Sequence, residues 1–144
     1  MKRLIQGITA FSLLAGPALA SSSDWSSLDT FAGTYPAAGL MKSAIIRQQL
    51  SNLLSPRQRA QLEAMAVSPP VSKIGSDLMA QFCMPHMCGS ESAVLVIDPA
   101  AAKIWVGFYE TDGKRVQMEW IGTDDPAVLP PDIQASLAKL HNPF

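Results

Sequence analysis

The spacing of hydrophobic and polar positions changes midway along the chain. Over residues 40–54, Met41, Ile45, Leu50, Leu53 and Leu54 fall close to one face of a helix. Ser55-Pro56-Arg57-Gln58 then restarts the chain as a second helix. Serine is a good N-cap, proline suits the first helical position, and glutamine three residues after the cap completes a capping box. This helix is expected to reach Ala66 before Ser68-Pro69-Pro70 stops it. Residues 71–81 carry no clear period and predict a short strand or an irregular approach to the next segment.

Beyond Gly89-Ser90 the period is that of strands. Ala93-Val94-Leu95-Val96-Ile97 is a continuous apolar run, the mark of a strand covered on both faces, and Asp98-Pro99 ends it. Ile104, Val106 and Phe108 alternate with Trp105, Gly107 and Tyr109 on the next strand. Thr111-Asp112-Gly113-Lys114 predicts a hairpin turn, with Asp-Gly as its signal. Val116, Met118 and Trp120 alternate with Arg115, Gln117 and Glu119, which predicts a strand wet on one face only. Asp124-Asp125-Pro126 breaks this pattern, and Pro131-Asp132 opens a terminal helix to Leu140. Helices first and a strand meander after predict an α+β fold: a central antiparallel sheet flanked by helices, with those helices on one face of it.

The N-terminus reads as a secretory signal over residues 1–20. Lys2 and Arg3 supply the positive start, residues 4–14 are mostly apolar, and Ala18-Leu19-Ala20 matches the small-x-small cleavage pattern. Gly16-Pro17 interrupts an apolar run already too short to span a bilayer, so no membrane association is expected after cleavage. The expected organisation is a serine-rich flexible lead-in over 21–35 and a single domain over 36–144, in a protein exported to the periplasm. The signal holds two of the 11 basic residues and none of the 12 acidic ones, so the mature chain carries a formal charge of −3. That argues against a nucleic-acid binder and suits a basic partner. With 48% hydrophobic and 16% charged residues, the chain has enough apolar surface for a real core.

Candidate chemistry concentrates in Cys83-Met84-Pro85-His86-Met87-Cys88, which holds both cysteines and one of the two histidines. The other, His141, reads as an ordinary surface residue. In an exported chain two cysteines favour a disulfide, here closing a six-residue ring. The loop-entropy model gives so small a ring roughly 2 kcal/mol, so its main effect is to hold the shape of the loop. No nucleophile elbow, metalloprotease helix or phosphate-cradling glycine loop is present, and the carboxylates are scattered or sit at turns. The chain therefore does not read as an enzyme, and no cofactor is expected. Three readings of the ring stand: a structural tied turn with an exposed histidine; a soft, copper(I)-like donor set from Met79, Met84, His86, Met87 and the two sulfurs; or a rigid binding key whose docking costs little entropy. The four residues between the cysteines are too many for the usual redox dithiol motif.

The hexapeptide, followed by Gly89 and the strand over 93–97, resembles Ivy, the family of bacterial inhibitors of vertebrate lysozyme. The family's loop reads Cys-Lys-Pro-His-x-Cys, with x often Asp or Asn, and the similarity spans residues 82–120. The resemblance implies a periplasmic inhibitor with a central antiparallel sheet flanked by helices. It implies that the loop enters the cleft of C-type lysozyme and sets an imidazole against the two catalytic carboxylic residues. His86 would be the plug, Pro85 would shape its approach, and Cys83 with Cys88 would close the ring. Some family members are dimers, which leaves a homodimer open. Met84 stands in place of the family's Lys and Met87 in place of its Asp or Asn, so two polar contacts beside the plug are replaced. A copper-binding role, or a divergent member that inhibits no lysozyme, remains the alternative.

Overall fold

Five strands follow one another as an antiparallel meander in the computed structural model, which describes residues 24–141. They are β1 (Ser72–Ile74), β2 (Asp77–Cys83), β3 (Glu91–Asp98), β4 (Lys103–Thr111) and β5 (Val116–Ile121), in that spatial order. Helices α1 (Ala44–Leu53) and α2 (Pro56–Ala64) precede the sheet, and α3 (Pro131–His141) follows it. The α+β class and the antiparallel sheet agree with the sequence pattern. The expected leader over residues 1–20 lies outside the described residues.

Alternation along the strands sorts the apolar side chains onto two faces. Leu78, Ala80 and Phe82 of β2 share one face with Ala93, Leu95 and Ile97 of β3 and with Ile104, Val106 and Phe108 of β4. Ile46, Leu50, Leu54 and Leu62 from the helical half cover it. Met79, Val94, Val96 and Trp105 form the other face, beneath Leu129, Ile133 and Leu137. The helices are thus on both faces rather than one, because β3 is apolar on both sides and each side needs its own cover. All of residues 93–97 are buried.

Local signals placed the element ends. The capping box at Ser55 is complete: the Gln58 N–H donates to Ser55 Oγ at 3.3 Å, and the Ser55 N–H donates to Gln58 Oε1 at 2.9 Å. α2 ends two residues earlier than expected, with Met65 as its C-cap. The first helix is also shorter than its apolar stripe. Leu40–Lys42 forms a 3-10 turn, and extended Ser43 separates it from α1. The ambiguous stretch 71–81 proves to be a β1–β2 hairpin, turning at Gly75 with φ +61°.

Two expectations change on packing. The described part of the segment read as a flexible lead-in is packed: Trp25–Phe31 is a 3-10 helix that buries Trp25 and Leu28 in the helix-side core. On β5, Val116 and Met118 were expected on a covered face, yet they are 66% and 37% exposed. β5 is an edge strand, and α3 covers Trp120 but not the two residues before it. A groove of about 390 Å³ lined by Val116, Met118, Trp120 and Leu137 is left between β5 and α3.

Candidate functional site

The six-residue ring is the connection between β2 and β3. Six consecutive partners, from Leu78 opposite Ile97 to Cys83 opposite Ser92, carry both strands to the same end of the sheet. There the Met84 N–H donates to the Glu91 carbonyl at 3.2 Å and extends the ladder by one bond. The Met87 N–H then donates to the Met84 carbonyl at 2.9 Å, closing a four-residue turn around Pro85 and His86. Proline at the second position and a positive φ at the third are the signature of a type II turn. His86 holds that third position with φ +65°. Glycine usually sits there, and histidine is among the few other residue types that visit the left-handed region.

The turn is braced from three sides. The Met87 carbonyl accepts from the Ser90 N–H at 2.9 Å, the Glu91 N–H at 2.8 Å and the Ser90 hydroxyl at 3.2 Å. The Ser90 carbonyl accepts from the Thr111 N–H at 2.9 Å, which fastens the loop to the end of β4. On the other flank Cys83 and Val67 exchange two backbone bonds, of 2.8 and 3.2 Å. Cys83 and Cys88 form a disulfide, with Cα atoms 4.8 Å apart. Sequence reasoning missed Val67, Ser90 and Thr111 as braces. Gly89-Ser90 gave a turn signal, but nothing local marks Val67 or Thr111 as partners of the loop.

All six predicted residues are therefore in one structure, with different exposure. Pro85, His86, Met87 and Cys88 are exposed, whereas Cys83 and Met84 are half-buried. Met84 packs against the helix-side core. Met79 stands apart: it is buried beneath α3 with Val96 and Trp105, on the other face. The soft donor set imagined from the sequence is thus not assembled, and both cysteine sulfurs are engaged with each other. Among the described residues, no three His, Cys, Asp or Glu side chains are grouped to hold a metal ion. His141 closes α3.

The surroundings of the loop are acidic on one side. Glu91, Glu110, Asp112 and Arg115 line a notch of about 310 Å³ beside Met87, and Glu91 and Glu110 are direct cross-strand partners. Gln61 Nε2 donates to Glu110 Oε1 at 2.9 Å. Asp112 Oδ1 accepts the N–H groups of Lys114 and Arg115, each at 2.8 Å, and these bonds hold its carboxyl below the ordinary value. Behind the loop, Gln81, Ser92, Tyr109 and the disulfide line a concavity of about 350 Å³.

Within the ring, His86 carries the one imidazole, and the cysteines are bridged to each other. An imidazole offers nitrogens on two sides, able to donate or accept. The ring thus presents a hydrogen-bonding heterocycle on a fixed backbone.

No curated protein matches the chain significantly. A family model, that of the inhibitor of vertebrate lysozyme (Ivy), matches residues 45–143. That span starts in α1, takes in α2, all five strands and the disulfide loop, and runs through α3, so the chain belongs to the Ivy family of lysozyme inhibitors.

Proposed function

We propose that the protein is a periplasmic inhibitor of C-type lysozyme that inserts the Cys83–Cys88 loop, His86 foremost, into the enzyme's cleft. The observation that carries this reading is the placement of His86: exposed, in the left-handed position of a turn, with hydrogen bonds pinning the backbone around it. A loop already in its docking shape loses little freedom on binding. The target's chemistry fits the plug. A retaining glycosidase, with lysozyme as the type case, holds its two catalytic carboxyls about 5 Å apart. One imidazole between them can hydrogen-bond to both. The mature charge of −3 would steer the protein toward a basic enzyme. The leader-like N-terminus and the disulfide both suit an oxidising compartment outside the cytosol.

The soft-metal alternative has lost its support, because Met79 and Met84 are drawn into opposite cores and the cysteines are bridged. The inhibitor reading is tested by the rate at which C-type lysozyme lyses a cell-wall substrate. Mature protein is expected to slow lysis, and His86→Ala to remove the effect while leaving the melting curve in place. Full inhibition by His86→Ala would overturn the assignment of the plug.

A further inference from the structure

Met84 and Met87 flank the Pro85-His86 pair evenly in sequence but not in space. Met84 is half-buried and belongs to the helix-side packing. Met87 is 45% exposed. Its main chain is pinned at both ends of the peptide unit: the N–H is bonded to the Met84 carbonyl, and the carbonyl accepts three donors from Ser90 and Glu91. A loose loop could fold such a side chain inward and hide it. Here the backbone is fixed, and the Met87 side chain stands partly exposed on the residue that follows His86 in the turn.

We infer that Met87 is the specificity-determining contact of the loop, packing on an apolar wall of the target cleft while His86 meets the carboxyls. The inference rests on the plug reading above. The wall follows from the target's own chemistry. A retaining glycosidase needs one carboxyl to keep its proton near neutral pH, and apolar surroundings against that carboxyl are what raise its pKa. A cleft that accepts an imidazole between its carboxyls therefore carries an apolar surface next to them. A thioether suits it, because sulfur is polarisable, the side chain is adaptable, and contacts with aromatic rings are favourable. The partner chemistry is thus a muramidase whose general acid lies against an aromatic or aliphatic wall. Met84 has no part in the contact.

The test measures dissociation constants of the mature protein and its variants for C-type lysozyme, with a melting curve for each. Met87→Ala is expected to weaken binding roughly tenfold, about 1.4 kcal/mol, chiefly through faster dissociation. Met87→Leu, matched in volume and apolarity, restores most of the affinity. Both variants are expected to melt close to the wild type, because Met87 is 45% exposed and belongs to neither core cluster. Met84→Ala, by contrast, is expected to lower the melting temperature, because its side chain packs against the helix-side core. If Met87→Ala binds like wild type while His86→Ala does not bind, the contact assigned to Met87 is wrong and the plug stands. If His86→Ala also binds like wild type, the plug reading has failed and the inference falls with it.

Discussion

At position 86 the backbone asks for glycine and the sequence supplies histidine. A left-handed conformation costs a non-glycine residue roughly 1–2 kcal/mol, and the cost is met by the hydrogen bonds around the turn. His86→Gly is therefore expected to be at least as stable as wild type in urea denaturation, by up to about 1 kcal/mol, part of the relief being offset by the greater freedom of glycine in the unfolded chain. The same variant should inhibit no lysozyme. A clear loss of stability in His86→Gly would mean that the imidazole holds the loop rather than straining it. The hexapeptide itself was legible, since Pro85 marks the second position of a turn. The positive φ was not, because it comes from the ring of hydrogen bonds that closes around His86 and not from the residue's own preference.

The connection between β2 and β3 is held twice, once by sulfur and once by hydrogen bonds. Read from sequence, the disulfide was what kept the shape of the loop. In the structure, the bonds from Met84 to Glu91, Met87 to Met84, Glu91 to Met87 and Thr111 to Ser90 depend on neither cysteine side chain. Replacing both cysteines, Cys83→Ser with Cys88→Ser, should lower stability by about 2 kcal/mol, the loop-entropy value for so short a ring. Inhibition by the folded double variant should fall far less than in His86→Ala. Equal losses in the two would show that the bridge alone shapes the tip. The capping box at Ser55, the Asp-Gly hairpin and the apolar β3 could be found from sequence because each signal is local. The braces at Val67 and Thr111 could not, since they are backbone pairings between segments distant in the chain. On β5 the alternation gave the right face, but how far α3 reaches over that face is a tertiary matter.

Across the whole molecule, α3 closes the second face of the sheet, and three acidic residues meet where it starts. Asp77 opens β2, Asp98 ends β3 and Asp132 lies in the first turn of α3. Asp77 is buried, and burial pushes its carboxyl above the ordinary value of 3.8, with the charges of Asp98 and Asp132 pushing the same way. The folded protein therefore holds a proton on Asp77 over a pH range in which the unfolded chain has released it. Stability from this group rises as pH falls from neutrality through the raised pKa, and the gain is complete below 3.8. At neutral pH the charged form opposes the fold, and among the described residues no ion pair offsets it: the salt bridge from β1 joins Lys73 to Asp29. Asp77→Asn keeps the shape and removes the charge. Its urea midpoint is expected to exceed that of wild type at pH 7, and the advantage to shrink toward zero near pH 4. Comparing the two proteins at each pH cancels the titration of every other carboxyl. A constant gap between them, or a wild type more stable at pH 7, would show that the Asp77 charge is solvated or paired, and that the junction between β2, β3 and α3 carries no such penalty.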